Sequence, residues 1–81
     1  MKDIYLTIVS PERVVYDGKV SRVTFPGESG SFEVLWGHAA LISVLKAGDI
    51  AYTADGDERK QHISGGFVEV NDNQVSACVE L

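Results

Sequence analysis

The feature that most constrains this chain is a two-residue hydrophobic rhythm, cut at short intervals by turn-forming residues. Ile4, Leu6 and Ile8 fall on one side of an extended segment, and Phe32, Val34 and Trp36 on one side of another. Ile50 and Tyr52 repeat the alternation, as do Val75, Ala77 and Val79. Period-two spacing puts these side chains on one face of a pleated strand, and the Val, Ile, Thr, Tyr and Phe content of the runs suits strands. No window keeps apolar residues at helical spacing long enough for a helix of ordinary length. The spacing predicts strands over 3–10, 13–17, 19–26, 31–35, 40–45, 48–54, 58–64, 67–71 and 74–80, the pattern of a sandwich or barrel. The breaks are read at Asp17-Gly18, at Pro26-Gly27 as a type II turn, at Asp55-Gly56, at Gly65-Gly66 and at Asn71-Asp72-Asn73. Leu41 to Leu45 is apolar on both faces and is expected to be covered on both sides.

Composition narrows the function classes. With 81 residues the chain suits one small domain, 1–81, without repeats or linkers, and leaves little room for a deep catalytic cleft. The net charge of -5 argues against binding nucleic acid through clustered positive charge. The single cysteine, Cys78, makes no internal disulfide and sits within a strand pattern, so a buried or half-buried structural thiol is expected. No apolar run approaches the ~20 residues a membrane helix needs, so no direct membrane insertion is expected.

The chemical motifs fail one by one. His38 and His62 belong to no metal-binding pattern, and one Cys with two separated His makes no structural zinc site. Asp55-Gly56-Asp57-Glu58 is acidic but lacks the span of a calcium loop and reads as a solvated hairpin tip. Pro26-Gly27-Glu28-Ser29-Gly30 lacks the lysine and the following helix of a phosphate-binding loop. No catalytic residue, cofactor or metal is expected. Trp36-Gly37-His38-Ala39-Ala40 is the segment these readings leave unexplained. Composition alone favours Trp36 folding back onto the core; the other reading makes it an anchor for a partner.

Several runs carry a resemblance. Ile8-Val9-Ser10-Pro11-Glu12-Arg13, Val23-Thr24-Phe25-Pro26-Gly27, Gly30 through Leu41 and Ile63-Ser64-Gly65-Gly66-Phe67-Val68-Glu69-Val70, followed by Asn73-Gln74-Val75-Ser76, resemble in order the epsilon subunit of F-type ATP synthases (delta in mitochondria). The resemblance implies an all-β, flattened β-sandwich of about ten short strands. It implies a central-stalk subunit, without an active site, that binds the gamma subunit and the c-ring and couples proton-driven rotation to ATP synthesis. The location implied is the cytoplasmic face of a bacterial plasma membrane.

By position, Ser10, Trp36, Gly37, His38, Ala39, Ala40 and Leu41 resemble the surface packed on gamma. Glu28, Ser29, Gly30, Ser31 and Glu33 resemble the loop facing the c-ring. The chain departs from the family in lacking the prolines around Gly37-His38, which leaves that loop less rigid, and in carrying Glu33 where glycine is common. It also ends before the helical hairpin of most bacterial members. If that length is natural, helix-mediated braking of hydrolysis and ATP binding by this subunit are not expected. The alternatives are a generic β-sandwich module for a peptide or small ligand, and a small cysteine hydrolase pairing Cys78 with a histidine.

Overall fold

A computed structural model describes residues 2–81. Nine strands run in chain order: β1 (Ile4–Val9), β2 (Val14–Val20), β3 (Arg22–Phe25), β4 (Phe32–Val34), β5 (Leu41–Leu45), β6 (Gly48–Ala54), β7 (Asp57–Ile63), β8 (Gly65–Asn71) and β9 (Gln74–Glu80). They form a five-stranded sheet, order β2-β1-β9-β8-β5, and a four-stranded sheet, order β4-β3-β6-β7. An isolated bridge joins Gly27 to Leu45. Among the described residues there is no helix. The fold is therefore the expected all-β sandwich, and its 32 × 23 × 18 Å extents make it flat.

The two-residue rhythm builds the core. Ile4, Leu6 and Ile8 of β1 meet Val75, Ala77 and Val79 of β9 and Val68 and Val70 of β8 from one sheet. Val23, Phe25, Val34, Ile50, Tyr52, Ala54 and Ile63 close over them from the other. β1 and β9 pair in parallel, so the first and last strands of the chain lie side by side within the larger sheet. No polar or charged residue is buried among the described residues, so the interior is stabilised by apolar burial. Tyr16 and Tyr52 close one margin, their ring centroids 4.7 Å apart.

Two breaks fall where the sequence marks them. Asp55 and Gly56 have φ of 52° and 79°, and Asp72 and Asn73 have 54° and 63°. Both pairs form two-residue hairpin turns with positive φ at each central position, the twist that matches strand twist. Three others fall differently. Asp17-Gly18 lies inside β2, paired with Thr7 and Leu6, and the chain bends at Ser21 instead. Gly65-Gly66 opens β8, and the break is the single residue Ser64. At both serines the chain passes from one sheet into the other, a crossing that needs a bend rather than a reversal. At Pro26-Gly27 a type II turn would need positive φ at Gly27, which is absent there. Gly27 N donates instead to Phe25 O at 3.0 Å, a three-residue turn centred on Pro26.

Leu41 to Leu45 is covered on one side only. Leu45 is buried, whereas Ile42 and Val44 remain 75% and 55% exposed on the outer face. A strand at the edge of a two-layer sandwich has no third layer to cover it.

Candidate functional surface

The segment 35–41 joins the two sheets at one end of the sandwich. Val34 ends β4 in the core, and Leu35 to His38 form a β-turn in which His38 N donates to Leu35 O at 3.1 Å. Gly37 has φ of 84°, the conformation a type II turn requires at its third residue. Its N–H donates to Asn73 Oδ1 at 2.7 Å, which ties the turn to the β8–β9 hairpin. His38 Nδ1 lies 2.7 Å from Ala39 O.

Trp36 does not fold back onto the core. It is 48% exposed, beside the equally exposed Leu35, and the Lys2 ammonium sits 4.2 Å from its ring centroid. The turn geometry explains this: Val34 is the last inward residue of β4, and the second position of the turn carries Trp36 outward. Ala39 and Ala40 are exposed and Leu41 is half-buried against the core.

Ser10 lies elsewhere. Its N–H donates to Arg13 O at 2.9 Å and its Oγ accepts from Arg13 N at 3.3 Å, forming the turn between β1 and β2. In register, Val9 stands beside Cys78 near the end of β9, whereas Gly37 is bound to Asn73 just before β9 begins. At ~3.3 Å per residue these two levels are roughly 17 Å apart along the sheet. Ser10 and the 36–41 segment thus lie at opposite ends of the five-stranded sheet.

The outer face at the Ser10 end carries apolar side chains that the sequence reading did not select. Val9 pairs with Cys78, Cys78 with Phe67 and Phe67 with Val44, a row crossing four strands. Phe67 is 51% exposed, and Val9, Ser10, Pro11, Phe67, Cys78 and Glu80 line a shallow depression of about 350 Å³. The sequence held a signal for this row: these are the alternate positions of strands whose other positions form the core. Cys78 is accordingly exposed, not buried as the strand pattern suggests, because its parity is opposite to that of Ala77 and Val79.

Neither histidine joins Cys78. His38 is in the turn region beside Asn73, and His62 stands on β7 of the other sheet, its Nδ1 2.9 Å from Asp49 Oδ1. Among the described residues no group of three or more His, Cys, Asp or Glu is placed to hold a metal ion.

The 28–33 segment sits at the Ser10 end, against the margin of β5. Glu28 N donates to Val44 O at 3.0 Å, and Gly30 N donates to Gly27 O at 3.0 Å, which leaves Glu28 and Ser29 at an exposed tip. Ser31 is exposed. Glu33 lies in β4 opposite Thr24, without positive φ, and its Oε2 is 3.5 Å from Arg22 Nη1. An ordinary strand geometry accommodates glutamate at this position.

Comparison with known proteins adds a family. Residues 3–80 match the model of the ATP synthase delta/epsilon chain β-sandwich domain. The ATP synthase epsilon chain of a Nitratiruptor species is 46% identical over 81 residues, 99% of this chain and 63% of that protein. That of Nitratidesulfovibrio vulgaris is 40% identical over 79 residues, 98% of this chain and 59% of that protein. The chain thus spans about three fifths of the length of these relatives. Among solved structures, a chain of the Euglena gracilis mitochondrial ATP synthase, in an assembly of OSCP, F1 and c-ring, superposes with a TM-score of 0.89 at 28% identity, over 95% of this chain and 50% of that one. A chain from the central stalk and c-ring of the Tetrahymena thermophila mitochondrial enzyme shares the fold, with a TM-score of 0.82 at 20% identity, over 99% of this chain and 65% of that one.

Proposed function

This chain belongs to the ATP synthase delta/epsilon family, and from that premise we propose that it is a central-stalk subunit of a proton-translocating F-type ATP synthase. In this reading it binds gamma and the c-ring, transmits rotation between them and performs no catalysis itself. It works at the cytoplasmic face of a bacterial plasma membrane as a peripheral part of the complex; among the described residues no helix is long and apolar enough to cross a membrane.

The observation that carries the reading is the family match across the whole sandwich, residues 3–80. The surface supports it. A rotor subunit needs rigid contacts rather than a cleft, and this sandwich exposes Trp36, Leu35, Phe67 and Val44 outside its core. Exposed apolar side chains gathered on one face mark a surface for protein contact. The gamma contact comprises Ser10, Trp36, Gly37, His38, Ala39, Ala40 and Leu41, and the row of Val9, Cys78, Phe67 and Val44 widens it at the Ser10 end. Glu28, Ser29, Gly30, Ser31 and Glu33 present a hydrophilic tip to the c-ring.

The test is co-expression with gamma from the same organism. The wild-type chain is expected to co-purify with gamma. The double change Trp36→Asp and Ala39→Asp is expected to abolish that recovery while the circular dichroism spectrum stays that of the folded sandwich, because both side chains lie outside the core. Undiminished gamma recovery would overturn the assignment of this surface.

A further inference from the structure

The four sheet margins are not alike. β7 carries Asp57, Glu58, Arg59 and Lys60, β4 is three residues long, and β2 carries Asp17 and Lys19. Charge and shortness are how natural sheets blunt an edge against pairing. β5, Leu-Ile-Ser-Val-Leu, is an edge strand without a charged residue, and it exposes Ile42 and Val44.

Half of that edge is already paired. Glu28 N donates to Val44 O at 3.0 Å, and Lys46 N donates to Pro26 O at 2.9 Å. Because the N–H and C=O of a strand residue point to the same side and alternate along the chain, the N–H and C=O of Ile42 and the N–H of Val44 face the same margin. Among the described residues these three groups have no main-chain partner. The segment that fills the lane turns away at Gly27–Gly30, leaving it open beside Ile42. On the outer face next to the open lane, Ala40, Leu41, Ile42, Glu69, Val70 and Asn71 line a depression of about 400 Å³. Glu69 stands directly opposite Ile42 in register.

The geometry points to strand addition: an extended segment of gamma carrying a lysine or arginine pairs main chain to main chain with the open half of β5. Its basic side chain lies across Ile42 toward the Glu69 carboxylate. This rests on the reading of gamma as the partner, and it names the mode of contact rather than the patch alone. Main-chain pairing at an edge supplies affinity, and the neighbouring depression supplies selection of the side chain. The chain's net charge of -5 favours a basic guest over an acidic one.

Amide hydrogen exchange on the full chain, alone and in complex with purified gamma from the same organism, tests this directly. The Ile42 and Val44 amides are expected to exchange freely in the isolated chain and to become protected in the complex. Ile42→Pro removes only an outward N–H, a change that edge strands tolerate. It is expected to weaken gamma binding by about tenfold, the worth of one or two hydrogen bonds. Glu69→Gln is expected to weaken binding less than the proline does. A wild-type chain that binds no gamma overturns both the function and this inference. Binding with Ile42 and Val44 still exchanging freely overturns this inference alone, as does a folded Ile42→Pro variant of unchanged affinity. Should that variant fail to fold, the wild-type exchange result decides.

Discussion

At the scale of single residues, the positions that tolerate least are those where one backbone passes close to another. Gly66 has φ of 150°, and a Cβ there would lie 2.9 Å from Val79 Cα and closer still to the Cys78 carbonyl. Both obstacles are main chain in the paired strand β9, so no rotamer change relieves them. Gly66→Ala is expected to destabilise the fold by roughly 2–4 kcal/mol through backbone strain and displaced pairing, read as a melting-temperature drop of about 10 °C or more. Tyr16 illustrates a different dependence. Burial raises its phenol above the ordinary 10.0, with the Asp17, Asp55 and Tyr52 charges adding to the rise and Arg59 opposing it. The folded state therefore holds this proton more tightly than the unfolded chain does. Its contribution is fully present below pH 10 and is lost as pH rises through the folded-state value. Thermal melts from pH 9 to 11.5 are expected to show falling stability, with a shallower fall in Tyr16→Phe. That variant also lacks the Tyr16 hydroxyl's bond to Lys19 O, which costs about 1 kcal/mol at neutral pH.

At the scale of strands, position in the sheet decides what an apolar residue is worth. β1 is paired on both sides, by β2 and β9, and its inward residues are fully enclosed, whereas β5 has an open margin and an uncovered outer face. Leu6→Ala is expected to cost about 3 kcal/mol, because it removes transfer energy and leaves a cavity. Val44→Ala is expected to change stability by less than about 0.5 kcal/mol, since its side chain is already in water. Urea denaturation of the two variants side by side checks the contrast; equal losses would mean that the outer face is covered within the chain itself. The strands themselves were largely legible in the sequence, since alternation needs only one buried face to leave its mark. Turn chemistry was legible where a reversal needs positive φ, at Asp55-Gly56 and Asp72-Asn73. It misled at Asp17-Gly18 and Gly65-Gly66. Glycine there lies inside β2 or opens β8, and the actual bends at Ser21 and Ser64 need no special residue.

At the scale of the whole molecule, strands that cross between sheets at Ser21 and Ser64 make the two layers share one core and one flat outline. Two candidate regions read from the sequence, Glu28–Glu33 and Trp36–Leu41, hold together locally, and Ser10 joins the first end of the molecule rather than the second. The period-two pattern and the absence of a helical period determined by themselves that the chain is all-β, because burial of one face imprints alternation on any strand, and the ordered runs from Ile8 to Ser76 carried the resemblance to this family. Only the tertiary structure decided that Trp36 points outward, that Val9, Cys78, Phe67 and Val44 align into one row, and that β5 keeps an open edge. Those facts depend on which strands become neighbours and in what register, and register is set by contacts between residues far apart in the chain.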